Sequence, residues 1–272
     1  MSMINGGSDA HLAVTAARAG ASVVQDLYGS RLARYDKSAG DFATEADLAA
    51  EQAIVDVLRA ARPDDAVTGE ESGRSGAADA HRRWLVDPLC GTLNYAVRTM
   101  LVGVNVALRE GDRVTAAATA DPFSGEVFWT DGAAARLRSP DGTDERLTPH
   151  AGSALVDVNL DPPFPGAPGF QAVRLLADPG FAERFRPRVI SSTLAVAWVA
   201  AGRRAAYVTD GDLRDRVHFA AGIALCRAAG CTVTGLRGEP VLTGADGLVA
   251  AADAQTHAAL LALVKKQASG GS

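Results

Sequence analysis

Between Leu101 and Trp129 the chain carries three β-runs in close succession: "LVGVNVALR", a Glu-Gly-Asp turn, "RVTAAATAD", a Pro-Phe-Ser-Gly turn, then "EVFWTD". Short runs of β-formers separated by tight turns pair with their neighbours in sequence, which makes this segment a meander of antiparallel strands. Whatever fold the chain adopts must be built around that sheet.

The flanking sequence reads as helix on one side and as mixed α/β on the other. From about Ser8 to Arg34, Leu12, Ala16, Ala19, Val23 and Leu27 recur at helical spacing and predict an amphipathic helix. "DFATEADLAAEQAIVDVLRAARP" predicts a second, with Thr44 as N-cap, Asp47 completing a capping box and Pro63 closing the segment. Beyond about residue 150 the pattern alternates. A helix is expected at Thr193 to Ala201, a strand at "AAYVTD", a helix at "HFAAGIALCRAAG" with Gly230 at its C-terminus, a strand at "CTVTG" and a last helix from Asp253 to Lys266. The reading is of two subdomains, 1–148 and 149–272, joined near 145–165 around the Pro- and Gly-rich "LDPPFPGAPG", with the active site at their junction.

Composition narrows the function. A chain of 272 residues with 47% hydrophobic content buries a substantial core. Its formal charge of −5 comes without a basic cluster, which argues against nucleic acid as a partner. The longest apolar run, "TLAVAWVAAG", is too short to span a bilayer, so no membrane partner is expected. Three cysteines, Cys90, Cys226 and Cys231, form neither a disulfide framework nor a CxxC pair, and the reducing cytoplasm is the expected location. His11, His81, His150 and His257 belong to no motif and are expected at the surface.

Chemistry concentrates where elements end. "WLVDPLCGTLNY" reads as a strand, Trp84 to Val86, that ends in Asp87, turns through Pro88 and Gly91 and opens a new segment at Thr92 and Asn94. A strand-end acid beside a Gly-Thr turn with outward N–H groups is suited to holding a cation next to a phosphate. Cys90 stands where a second carboxylate would be expected. Other acids at element ends are Asp41 and Asp47 in "DFATEAD" and Glu70 and Glu71 in "TGEES".

Taken in order, "DFATEAD", "GEES", "DPLCGTLNY", "DPFSGEVFW", "SSTLAVAWVAAG" and "HFAAGIAL" resemble the inositol monophosphatase family over nearly the whole chain. The resemblance implies that family's α/β fold, a layered αβαβα sandwich of the sugar phosphatase type, commonly a homodimer. It implies Mg²⁺ held by Glu70, Asp87 and the Leu89 backbone carbonyl, an attacking water oriented by Asp47 and Thr92, and phosphate bound by the backbone around Gly91 and Thr92. It also points to the acidic run Asp210, Asp212 and Asp215, and to Asp212 above all, as the border of the substrate pocket. The substrate class it implies is a small anionic, phosphorylated metabolite.

Two positions depart from the family pattern. "DPxDGT" has an acid where this chain has Cys90, and "WDxAAG" has Trp-Asp where it has Val217 and His218, so the two acids that with Asp87 ligate a second Mg²⁺ are replaced. Three readings stay open. In the first, a phosphatase hydrolyses a small phosphorylated metabolite with Mg²⁺ at the first site and, at the second, an O, S, N set of Asp87, Cys90 and His218 suited to Zn²⁺ or another transition metal. Alternatively Cys90 is a nucleophile with a lowered pKa and His218 its base, working without metal in acyl or thioester transfer. In the third, the site binds a phosphorylated ligand without turnover.

Overall fold

The structure is a computed structural model that describes residues 7–38, 41–160, 170–213, 217–241 and 246–269. Helix α1 (Asp9–Leu27) is followed by a two-stranded ribbon, β1 (Arg34–Ser38) and β2 (Asp41–Thr44), and by α2 (Glu45–Ala61). Next come β3 (Ala66–Gly69), β4 (Gly73–Ser75), β5 (Arg82–Cys90) and the short α3 (Thr92–Ala96). The meander continues as β6 (Gly103–Glu110), β7 (Arg113–Ala120), β8 (Val127–Thr130), β9 (Ala135–Arg138) and β10 (Asp144–Arg146). The remaining elements are β11 (Leu155–Asn159), a 3-10 helix at Ala172–Ala177, α4 (Pro179–Arg184), β12 (Arg186–Val189), α5 (Leu194–Ala200), β13 (Ala206–Asp212), α6 (Val217–Ala229), β14 (Thr232–Thr234), β15 (Asp246–Ala251) and α7 (Ala254–Ser269).

The first sheet has eight strands in the order β10-β9-β8-β7-β6-β5-β3-β4, antiparallel throughout except that β3 runs parallel to β5. The second has five, β12-β11-β13-β15-β14, with β11 parallel to both its neighbours and the other pairs antiparallel. Period-two alternation decides which helices each face meets. On β6, Val104, Val106 and Leu108 pack with Val14, Ala17, Ile54 and Leu58 of α1 and α2, while Ala107 turns the other way, toward Ala220, Ala221 and Ala224 of α6. On β13, Tyr207 joins Val196, Phe219 and Ile223 of α5 and α6, while Val208 joins Phe181, Leu260 and Val264 of α4 and α7. The layers therefore run α, β, α, β, α. Each large side chain buried this way contributes about 1.5–3 kcal/mol.

Several local expectations are corrected. The first helix stops at Leu27 rather than Arg34, because Tyr28 is extended and Gly29 takes a left-handed φ of 79° before the chain enters the ribbon. β5 does not end at Asp87 but runs through Pro88 to Cys90. His257 is buried, not at the surface, and its Nε2 lies 2.8 Å from the Thr234 hydroxyl. Residues 161–169 of the Pro- and Gly-rich piece lie outside the described residues. No helix among the described residues is long and apolar enough to cross a membrane.

Candidate active site

The site begins with an irregularity in β5. Asp87 pairs with Asn105, and the next matched pair is Cys90 with Gly103, so three steps along β5 face two along β6. In a regular strand, residues three apart point to opposite faces; one extra residue restores them to the same side. Pro88 is tolerated because it sits in the bulge, where no ladder donor is required. As a result a ligand atom from each of Asp87, Cys90 and His218 falls within 4.8 Å of the others, His218 arriving from the first turn of α6. Gly91 then takes φ +105°, and a Cβ there would lie 2.9 Å from the Leu101 carbonyl and 3.2 Å from that of Ser191. Both carbonyls accept hydrogen bonds from the Asn94 amide, which pins the turn that starts α3.

Asp87 is fully buried. Its Oδ2 lies 2.9 Å from His218 Nδ1 and accepts from Asn105 Nδ2 at 3.2 Å, whereas its Oδ1 is buried without a hydrogen-bond partner. Burial pushes this carboxyl up, but the His218 imidazole and the amide outweigh it and hold it below the usual range. Glu70 follows β3, and its backbone N–H donates to the Val86 carbonyl at 3.0 Å, which seats the "GEE" loop beside β5. Its carboxylate lies 3.8 Å from His218 Nδ1. Burial first and Asp87 second push Glu70 up to about 8. The loop is also held from α2: Glu51 accepts the N–H groups of Glu71 and Ser72 at 2.8 and 2.7 Å, and a Cβ at Gly69 would collide with that carboxylate.

A cation already belongs to this group of acids. Lys37 of β1 reaches Glu70 at 3.0 Å and Glu71 at 2.6 Å. Burial alone would lower its pKa, but the two carboxylates raise it well above the ordinary value.

Asp47 and Thr92 meet on the other side of the bulge. The capping box expected for α2 is present: Asp47 Oδ2 accepts from the Thr44 N–H at 2.7 Å and from its hydroxyl at 2.6 Å. Asp47 Oδ1 accepts from Thr92 Oγ1 at 2.9 Å, and the Leu89 carbonyl lies 3.2 Å from the same hydroxyl. Asp47 is therefore both a helix cap and the hydrogen-bond partner of Thr92. Burial raises its pKa, against the hydrogen bonds from Thr44 and Thr92.

Cys90 is surrounded differently from what a nucleophile needs. Thr193 donates to its Sγ twice, from the backbone N–H at 3.2 Å and the hydroxyl at 3.0 Å. Burial, and next the Asp87 carboxylate, push the thiol well above its ordinary value. The lowering that the nucleophile reading calls for has little support here: α3 has only five residues, and the imidazole Nδ1 is directed at Asp87. Of the expected site residues, Glu70, Asp87, Cys90 and His218 are gathered together, and Asp47, Thr92 and the Leu89 carbonyl adjoin them. The backbone of Asp212 lies in β13, but its side chain is outside the described residues. Lys37, Glu51, Asn105 and Thr193 were not anticipated. The signal for Asn105 was present in the sequence, as a lone amide in the middle of the apolar run "LVGVNVALR".

The chain matches the inositol monophosphatase family over residues 8–269. It is 36% identical to an inositol-1-monophosphatase of Caulobacter vibrioides over 61% of this chain and 66% of that protein's length. It is 33% identical to the Nus factor SuhB of Escherichia coli over 86% of this chain and 88% of that one. Among solved structures, the extragenic suppressor protein SuhB of Bartonella henselae superposes with a TM-score of 0.82 at 27% identity, covering 94% of this chain and 98% of that one.

Proposed function

Because this chain belongs to the inositol monophosphatase family, we propose that it hydrolyses a small phosphorylated metabolite at a metal site rebuilt around Asp87, Cys90 and His218. The observation that carries the reading is Asp87 Oδ1, a buried carboxylate oxygen with no partner, beside a sulfur and an imidazole within 4.8 Å. An orphaned buried acceptor is costly, and a cation satisfies it. Glu70, Asp87 and the Leu89 carbonyl offer hard oxygens suited to Mg²⁺, while Asp87, Cys90 and His218 suit Zn²⁺ or a similar transition metal. When bound, such cations would neutralise the charge that develops on the transferred phosphoryl group and its leaving oxygen.

The chain's own groups supply position. Thr92 donates its hydroxyl hydrogen bond to Asp47, so its oxygen lone pairs are free to accept a hydrogen bond from a water placed between them and the substrate. Asp47 does not wander, because its other oxygen is tied to Thr44 twice. The Gly91–Thr92 backbone at the start of α3 suits a phosphate. Lys37 adds positive charge where a phosphate dianion would otherwise meet Glu70 and Glu71. The surroundings of Cys90 weigh against the metal-free nucleophile reading. A coordinating cation deprotonates a thiol outright, so the raised thiol is compatible with a ligand role.

A net charge of −5 without a basic cluster supports a small anionic metabolite held by cations rather than nucleic acid, notwithstanding the Nus-factor name of several relatives. Exposed Leu93, Val97 and Met100 on and just beyond α3 support a homodimer, to be tested by sedimentation. We place the protein in the cytoplasm on its cysteine usage, which fractionation of cells would check. The deciding experiment is phosphate release from sugar, cyclitol and nucleotide monophosphates after chelation, with Mg²⁺, Mn²⁺ or Zn²⁺ returned separately. Release that depends on the returned cation is expected; release unaffected by chelation, or none with any cation, overturns the proposal.

A further inference from the structure

Asn105 and Thr193 have no part in the reading above, yet they form a buried, hydrogen-bonded layer behind its ligands. Asn105 is 1% exposed, Thr119 0% and Thr193 4%, so each polar atom must be paired or costs free energy. The pairing has only one consistent direction. A carboxylate only accepts, so Asn105 turns its NH₂ to Asp87, and the other N–H goes to Thr193 Oγ1 at 2.9 Å. Thr119 completes the amide by donating to its Oδ1 at 2.8 Å. With its oxygen already accepting from Asn105, Thr193 directs its own proton to Cys90 Sγ, where its backbone N–H also points. Every chain of donors ends on Asp87 or Cys90.

We propose that Asn105 and Thr193 are positioning residues that hold Asp87 and Cys90 as a matched oxygen–sulfur acceptor pair, so that this position takes a thiophilic cation such as Zn²⁺ in preference to Mg²⁺. The inference rests on the rebuilt-site reading. Ligand atoms whose orientation is fixed by outer hydrogen bonds lose roughly 10- to 100-fold in metal affinity when those bonds are removed. Softness of the sulfur decides the preference among cations, and its fixed direction decides how tightly the preferred one is held.

The test uses the full chain stripped by a chelator. Co²⁺, a spectroscopic stand-in for Zn²⁺, reports sulfur ligation through its sulfur-to-metal charge-transfer absorption, and Zn²⁺ affinity is measured by competition with a chromophoric chelator. The unmodified chain shows the absorption, and Cys90→Ser abolishes it. Thr193→Val, close in volume but without the hydroxyl, weakens Zn²⁺ roughly 10- to 100-fold, and Thr193→Ser restores it. Asn105→Ala acts in the same direction, and because that buried position is sensitive, the Thr193 pair decides the matter if the alanine variant fails to fold. Absence of the absorption in the unmodified chain, or its persistence in Cys90→Ser, overturns the rebuilt site itself. Absorption that is lost in Cys90→Ser together with unchanged Zn²⁺ affinity in Thr193→Val leaves the site standing and overturns the role given to Thr193 and Asn105.

Discussion

Glu70→Gln separates what the acidic cluster costs from what it does. In the metal-stripped protein, burial and Asp87 move Glu70 from 4.5 to about 8. Across that window the folded chain holds a proton that the unfolded chain releases, so stability falls as pH rises, by up to about 1.4 kcal/mol per pH unit. At about pH 7 the accumulated loss comes to about 3 kcal/mol, and near about pH 5 it is under about 1 kcal/mol. Glutamine keeps the shape and has no proton to lose. Urea unfolding in chelator is therefore expected to show the variant gaining on the unmodified chain as pH rises, which sets a stabilised apoprotein against a disabled enzyme. Restoring Mg²⁺ should stabilise only the unmodified chain, by about 2.7 kcal/mol at a hundredfold excess over Kd, and phosphate release should be lost in the variant. A stability difference that stays flat between about pH 5 and about pH 8, or phosphate release that survives the substitution, refutes the reasoning.

Arg204 meets both oxygens of buried Asp157 at 2.9 and 2.8 Å, so Arg204→Met strands a charge and should cost about 3–5 kcal/mol by denaturant unfolding. Gly91→Ala forces a side chain into a left-handed turn facing two carbonyls; about 1–3 kcal/mol of strain is expected, read as a lower melting temperature and lost phosphate release. Cys90→Asp combined with His218→Asp should return the cation preference to Mg²⁺, measured as the ratio of activity with Mg²⁺ to that with Zn²⁺; no change in the ratio would mean that further residues set the preference.

Elements that follow one period over their whole length were legible without the structure: the meander, the capped α2, and α5 to α7. The boundary of β5 was not, because Pro88 conventionally reads as a turn, and only pairing with β6 shows that it occupies a bulge. The bulge also explains why Asp87 and Cys90 look wrongly phased in sequence yet share a side in space. Residues of the candidate site that are carried by motifs could be named in advance. Those that act from a distance could not: Lys37 reaches Glu70 across 33 positions and Thr193 reaches Cys90 across 103. No local pattern encodes such contacts. His257 was misplaced for a similar reason, since its partner Thr234 comes from a neighbouring strand.

Where α6 lies against the first sheet, the buried contact is made of methyl groups, Ala220, Ala221 and Ala224 against Ala107 and Ala117, with Leu85 and Val114 packed alongside. His218 sits on the same helix, so a thicker seam is expected to move it away from Asp87. A larger residue such as Val at 117 would cost about 1–3 kcal/mol and lift the helix with its imidazole. On the proposed reading, the size of cation the site would accept is thus adjustable from a position that touches no ligand, by trading a methyl for an isopropyl group.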